Sequence, residues 1–479
     1  MRAVKPLLLA AVGGLIVAAS LPPFGLWFLA PVGYALFVAT VLDGSRRSRT
    51  LRAGAFFLAY FAVGLAWSIE FSVVAFIALL LVEVLLATAP FLLTPQAPRV
   101  ALLAFPALVT FGEVVRYRAP LGGLPMAGPV LGQVNGPLLP VARIGGDFAI
   151  VALTALVGVG LFALWRHRTL GVGALVVAVA VTALGWVIDA PRAVAPLRVA
   201  YVQGGGPRGL RAVENTETDV YGNQVDATAG VRRPVDLVVW PEDVIDLTGP
   251  IADDPIRFDV GALATELETT LVAGVVEDAG ETKFRNAAVA WDRSGKIVDR
   301  YDKVHRVPFG EYVPARGLVS RLADISAVPR DSLAGHGDGV LLTRAGELGV
   351  LISYEVFFAD RARTAVNAGG EILLVPTNAS SFRGRQVPDQ EVAAARLRAV
   401  ELGRDLIQAA PTGHSAFVDA DGNTSKVSKL GVAVAAQHTL HRRHGRTPYA
   451  RAGDGPVLAL VLVLLLATAA LDRSVKTTL

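Results

Sequence analysis

GVLISYEVFFAD, residues 349–360, leads through four residues without a polar side chain into Ser353, Tyr354 and Glu355, then returns to apolar residues. The unbroken apolar run Val350–Ile352 predicts a buried strand. Polar side chains placed where such a strand ends stand at the mouth of a fold, where sites are built. Ser353 in that position is a nucleophile, a spectator or a replacement for another residue. The rest of the chain decides among these.

Outward from this stretch, residues from 197 onward alternate short β-rich runs with helical or looped stretches. The predicted strands are LRVAYVQ (197–203), VDLVVW (235–240), TLVAGVVE (270–277), RNAAVAW (285–291) and KIVDRYDK (296–303). They continue with LGVLISYE (348–355), EILLVPTN (371–378), LIQAAP (406–411) and SAFVDA (415–420). QEVAAARLRAVELGR (390–404) holds helix formers with apolar residues at helical spacing. Apolar strands separated by helices predict an α/β layered fold with a largely buried sheet.

Polar residues collect at three of these strand ends. Glu242 follows the strand in VVWPEDV, Lys303 and Glu311 lie in DRYDKVHRVPFGEYVP, and Ser353 begins the third group. A carboxylate can act as a general base, an ammonium can steady an oxyanion, and a hydroxyl can attack a carbonyl. Each residue also has a plain structural reading: Glu242 in the first turn of a helix, Lys303 as a solvated charge, Ser353 as a small core residue.

Composition divides the chain. Of its 479 residues 53% are hydrophobic and 18% charged, too apolar for an ordinary soluble protein. From Ala53 to Leu93 the only acidic or basic residues are Glu70 and Glu83. There is no cysteine, which excludes disulfides, thiolate metal sites and a Cys nucleophile. Predicted spans cover 6–20, 24–42, 53–68, 71–93, 99–115, 146–165, 170–189 and 456–472, each near the ~20 apolar residues that cross a bilayer. The first also reads as a signal peptide, but a second apolar segment follows at once.

With the N-terminus inside, eight crossings put Arg46, Arg47, Arg49, Arg52, Arg99, Arg166, Arg168, Arg473 and Lys476 on the cytoplasmic side. The exception is the outer segment 116–145, with Arg116, Arg118 and Arg143, whose Gly and Pro predict a re-entrant or interfacial loop covered by protein or lining a cavity. Residues 193–447 then lie outside, between an N-terminal membrane region (1–192) and a C-terminal span with its tail (448–479). Glu70 is expected in water at the outer edge; Glu83 falls within the bilayer with no partner evident. Arginines beside apolar segments fit membrane topology, not nucleic-acid binding.

WPE (240–242), YDKVHRVPFGEYVP (301–314) and ISYE (352–355) resemble the three signature segments of the nitrilase, or carbon–nitrogen hydrolase, superfamily, which carries a Glu–Lys–Cys triad on an αββα sandwich. PFGEYVP, AARLRAVELGRD (394–405) and the eight-span layout resemble its membrane-embedded branch, the bacterial apolipoprotein N-acyltransferases, nearly end to end. The resemblance implies a multi-pass helical bundle in the cytoplasmic (inner) membrane with an extracytoplasmic nitrilase-like domain. It implies transfer of an acyl chain from a membrane phospholipid, through an acyl-enzyme, to the α-amino group of a lipoprotein's S-diacylglyceryl cysteine. It implies neither cofactor nor metal, and we expect a monomer. Carried onto this chain, Glu242 matches the general base, Lys303 the oxyanion lysine and Ser353 the nucleophile position. Glu311 matches a second glutamate, Tyr354 and Glu355 flank the nucleophile, and Asn286 in FRNAAVA matches an asparagine of the site.

The chain departs from that pattern in four places. Ser353 stands where the family has Cys, TNASSF (377–382) lacks an aromatic, Glu391 stands where many relatives place His, and YVQGGGPRG lacks an Asn after Gln-Gly. A thiol has a pKa of about 8.5 and ionises readily beside a cation; a serine hydroxyl needs its proton removed as it attacks. Four accounts of Ser353 stand open: an engineered replacement, a natural enzyme that works with Ser, an impaired or inactive paralogue that still binds lipid, or a neutral position because another residue attacks. A transporter with an outer binding domain and a membrane-anchored amide hydrolase are the rival classes.

His438, His441 and His444 lie at i, i+3 and i+6 in 437–453, which reads as a basic loop meeting lipid headgroups and not as a zinc site. His305 and His414 read as scaffold. Residues 313–336, with Leu318, Val319, Leu322 and Ile325, and 380–389 read as a lid over the acyl entrance.

Overall fold

Long apolar segments must satisfy their backbone internally where no water reaches, and in this chain they do so as helices. A computed structural model describes residues 4–210, 219–321, 325–326 and 328–478. The chain divides into two compact units, Met1–Asp189 with Arg451–Leu479, and Ala190–Ala450.

Among the described residues, the first unit holds α1 (Val4–Ala18), α2 (Leu29–Val41), α3 (Arg46–Gly64), α4 (Val73–Thr88), α5 (Pro98–Arg116), α6 (Ala142–Arg166), α7 (Arg168–Val187) and a last helix, Gly455–Thr478. Five segments are long and apolar enough to cross a membrane: Val73–Leu93, Pro98–Arg116, Leu139–Arg166, Arg168–Val187 and Gly455–Val475. α1 and α2 are apolar but shorter. α3 opens with Arg46, Arg47, Arg49 and Arg52, so only its later turns are apolar. Ser45 and Ser72 accept from the backbone N–H of Ser48 and Ala75 and so cap α3 and α4. A Cβ at Gly14 would lie 2.1 Å from the Phe56 carbonyl oxygen, which shows why α1 needs glycine where it meets α3.

Glu83 has a partner after all. Arg116, at the end of α5, is fully buried; it pairs with Glu83 and, at 2.8 Å, with Glu113, and donates to the Leu124 and Met126 carbonyls. Arg143 is buried too, whereas Arg118 is exposed and pairs with Asp454 at 2.7 Å. Two of the three arginines that broke the expected charge pattern are thus internal ion-pair or hydrogen-bonding groups, not loop charges. Segment 116–145 winds through two 3₁₀ turns, Pro129–Gln133 and Leu139–Val141, both buried. Glu70 is exposed.

The second unit is α/β. One sheet joins β1 (Ala193–Gln203), β2 (Leu237–Val239), β3 (Ile245–Leu247), β4 (Thr270–Asp278), β5 (Lys283–Trp291), β6 (Ile297–Asp302) and β7 (Asp331–Ser332). The other joins β8 (Val340–Thr343), β9 (Gly346–Val350), β10 (Ile372–Pro376), β11 (Leu406–Ala409), β12 (Ala416–Val418) and β13 (Thr424–Ser425). β14 (Val434–Arg443) returns to the first sheet, whose order is β14-β1-β2-β4-β5-β6 with β3 on β4 and β7 on β5; the second runs β13-β12-β11-β10-β9-β8. β1–β2–β4 and β9–β10–β11 pair in parallel, which buries them on both faces and explains their continuous apolar runs.

Side chains alternate across each strand, so Val199 and Tyr201 face Val350, Leu374 and Ile407 of the other sheet, while Ala200 and Val202 join Val260 and Ala264 of helix Ile256–Glu266. Helices Ala359–Asn367 and Gln386–Leu402 pack on the second sheet, giving an αββα sandwich. Gly403, at φ +61°, ends the long helix in the left-handed conformation.

The expected basic loop at 437–453 is corrected. Residues 434–443 form β14, antiparallel to β1, and His438 lies 5.5 Å from the Phe417 ring. Its polar and basic side chains hide an edge strand from a search for apolar runs. β9 stops at Val350, three residues before Ser353, and the expected strand tail becomes a 3₁₀ turn, Ser353–Phe357.

Candidate active site

β6 ends at Asp302, and strand alternation sends Tyr301 and Lys303 into the same buried layer. Glu242 lies three residues past β2, after the buried Trp240, and Asn286 lies on β5. The Lys303 ammonium donates to Glu242 Oε1 (2.8 Å) and Glu311 Oε1 (2.9 Å); the Asn286 amide donates to the same two oxygens, at 2.8 and 3.0 Å. Two donors and two acceptors close a square. The Val307 N–H holds the other Glu311 oxygen at 2.7 Å.

An ammonium has three N–H bonds. Two of those on Lys303 are used, and the third has no partner among the described residues. Burial acts to lower the Lys303 pKa, but Glu242 and Glu311 outweigh it and hold the amine firmly protonated. Burial raises Glu242 above the usual carboxylate range, against the pull of Lys303 and with the push of Glu311. Glu242 Oε2 accepts no hydrogen bond among the described residues.

Ser353 is buried and held at φ +48°, a conformation unfavourable for a residue with a Cβ. Among the described residues its hydroxyl bonds Thr377 alone, at 3.2 Å, and not Glu242 or Lys303. Thr377 follows β10 directly and donates to Glu391 Oε1 at 2.7 Å. Burial pushes the Glu391 carboxyl up to about 8, with Glu242 adding to the shift and Thr377, Lys303 and Arg208 opposing it. Asp243, at φ +57°, is raised well above its usual range by burial and accepts from the Asn378 amide at 3.3 Å.

Glu355 turns away from this cluster. It is fully buried and accepts from Tyr301 Oη (2.9 and 3.0 Å) and from the backbone N–H groups of Val304 (2.9 Å), His305 (3.0 Å) and Ile352 (2.9 Å). Its work is to tie the turn bearing Ser353 to the segment bearing Lys303. Tyr354 packs edge-on against Phe358 at 4.9 Å, and the His305 ring stacks on Phe358 at 4.3 Å. His414 bonds the Ser428 carbonyl through Nδ1 at 2.7 Å.

In the expected lid, Arg316–Val319 is a short helix tied to Asp331 by Arg316 (2.5 and 3.1 Å). Leu318 is exposed and Val319 and Ile325 partly so, while Leu322 lies outside the described residues. Among the described residues no cluster of His, Asp or Glu could hold a metal.

Sequence reading missed the roles of Thr377, Asp243 and Tyr301. The signal for Thr377 was available: TN directly after the buried run ILLVP is another polar pair at the end of a parallel strand. Tyr301 gave none, because a tyrosine in a strand reads as core.

Two family profiles match the chain: one described as apolipoprotein N-acyltransferase N-terminal domain over residues 13–160, and one described as carbon–nitrogen hydrolase over 198–435. The apolipoprotein N-acyltransferase of Mycolicibacterium smegmatis is 31% identical, over 96% of this chain and 83% of its own length. That of Azotobacter vinelandii is 30% identical over 96% and 93%, and that of Methylococcus capsulatus 29% over 95% and 94%. With a matched hydrolase domain around the Glu–Lys–Asn–Glu square and relatives aligned through both units, the chain belongs to the apolipoprotein N-acyltransferase family.

Proposed function

We propose that this protein takes an acyl chain from a membrane phospholipid and passes it to the α-amino group of the N-terminal S-diacylglyceryl cysteine of a lipoprotein. Ser353 Oγ attacks the donor's ester carbonyl and expels the lysophospholipid alcohol, leaving an acyl ester on Ser353. The acceptor amine then attacks that ester, forming an amide and freeing Ser353. Glu242 acts as general base toward the amine, and Lys303 stabilises the oxyanion of each tetrahedral intermediate. The observation that carries this reading is the buried, charged Lys303 ammonium beside Glu242, whose third N–H has no partner among the described residues. Glu311 and Asn286 hold Lys303 and Glu242 in place.

A second reading, a paralogue that binds lipid without efficient turnover, is favoured by one fact: the Ser353 hydroxyl bonds no ionised group directly. An acyl-serine ester also reacts more slowly with amines than a thioester does.

Full-length protein in vesicles of acyl-labelled phospholipid, given a diacylated lipopeptide, separates these. We expect an acyl adduct on residue 353 by mass spectrometry and labelled lipopeptide. Ser353→Cys should raise transfer by orders of magnitude, and Lys303→Ala and Glu242→Gln should abolish it without loss of membrane insertion. No adduct and no transfer in either the native chain or Ser353→Cys would sink the acyltransferase reading.

A further inference from the structure

A serine that attacks an ester must lose its proton in the same step. The hydrogen-bond path from Ser353 does not lead to Glu242, whose Oε1 is occupied by Lys303 and Asn286. It leads to Thr377, whose hydroxyl is placed to donate either to Ser353 Oγ, at 3.2 Å, or to Glu391 Oε1, at 2.7 Å. All three side chains are buried.

The direction of this path follows from counting protons. A threonine hydroxyl has one, and Glu391 in its charged form claims it through the shorter, charge-assisted bond. Once that proton lies on the Glu391 side, Thr377 offers Ser353 only a lone pair, and the serine hydroxyl must turn to donate to it. The serine proton then has, 3.2 Å away, an acceptor already coupled to a carboxylate.

We infer that Thr377 and Glu391 form a proton relay for Ser353, with Glu391 as the positioning residue that holds the serine proton during acylation. The inference rests on the acyltransferase reading and deepens it by giving the two proton transfers to different carboxyl groups. As the Ser353 Oγ–acyl carbon bond forms, the Ser353 proton passes to Thr377 Oγ1 and the Thr377 proton passes to Glu391. The tetrahedral intermediate then breaks its bond to the lysophospholipid oxygen. Ser353 Oγ is now an ester oxygen, so Thr377 gives its proton directly to the departing alkoxide and takes one back from Glu391, which ends charged with Thr377 neutral. Glu242 is left for the acceptor amine.

The surroundings of Glu391 suit this task. Its Oε2 has no hydrogen-bond partner among the described residues. The charged groups acting on it are Glu242, Lys303 and Arg208, and on its own helix Asp389 is engaged by Arg385 at 3.3 Å and by His414 at 3.3 Å. Burial raises it to about 8, which makes its carboxylate a far stronger base than an exposed one and leaves a usable ionised fraction near neutrality.

The test measures single-turnover acylation of the full-length protein in phospholipid vesicles from pH 6 to 9. The native rate should climb about tenfold per pH unit and level off near pH about 8. Glu391→Gln should lower the rate about a hundredfold and flatten the profile. Thr377→Val should do the same, and Thr377→Ser, which keeps the hydroxyl, should restore it. In a Ser353→Cys background, where a thiolate needs no relay, Glu391→Gln should cost less than about threefold. Native acylation with unchanged rate and profile in Glu391→Gln and Thr377→Val overturns the relay and leaves the acyltransferase reading intact. Absence of acylation in the native chain, with Ser353→Cys active, overturns the relay as well. If Glu391→Gln does not fold, the Thr377 pair decides alone: equal rates for Val and Ser at 377 reject the relay.

Discussion

Glu391 is a carboxyl that burial raises in the folded state to about 8, against about 4.3 for a free glutamate. Between those values the native state binds more protons than the unfolded state, so stability must fall as pH rises through that window. The limiting slope from this one group is about 1.4 kcal/mol per pH unit. Glu391→Gln removes the titrating group but keeps an acceptor for Thr377. We therefore expect the variant to match the native chain near pH 5 and to exceed it in thermal stability at pH 8, even as acylation is lost. Paired melting curves across that range check this; parallel curves would show that Glu391 titrates normally. A residue that weakens the fold at working pH and serves the chemistry fits the common conflict between stability and function.

At the level of an element, the turn Ser353–Phe357 is tied to its surroundings chiefly by Glu355. Ser353 adopts φ +48°, and the segment is fixed because Glu355 gathers the N–H groups of Ile352, Val304 and His305 together with the Tyr301 hydroxyl. Glu355→Ala would orphan those donors in a dry interior, and breaking a buried charged partnership costs about 3–5 kcal/mol. We predict a melting loss of that size in the α/β unit, with a smaller one for Glu355→Gln, measured by thermal unfolding in detergent. Equal losses for Ala and Gln would show that volume, not hydrogen bonding, is what Glu355 supplies.

Over the whole molecule, the two units divide their labour by solvent. The helical unit buries Glu83, Glu113 and Arg116 together, and the sandwich carries the acid–amine–hydroxyl cluster. The chain has no cysteine, so single cysteines can report sidedness without background. Exposed positions Arg47, after α2, and Asp253, in the sandwich, test the expected arrangement. We predict that in intact cells a membrane-impermeant maleimide labels Asp253→Cys and reaches Arg47→Cys only after permeabilisation. The opposite result would invert the topology and place the sandwich in the cytoplasm.

The primary structure by itself determined the places of the strands β1, β4, β5, β9 and β10, because strands buried on both faces are written as apolar runs. It also marked Glu242, Lys303, Glu311, Asn286 and Ser353, whose polar side chains interrupt those runs near strand ends. It could not show β14, whose edge position lets its side chains be basic, nor that Arg116 answers Glu83 from the next helix. Tertiary structure alone decided that Glu355 ties the segment of Val304 and His305 to the turn of Ser353, and that Thr377 meets the Ser353 hydroxyl. The reason is physical. Apolar periodicity is local and survives in sequence, whereas a hydrogen bond between residues 24 or 51 positions apart exists only once two sheets have packed.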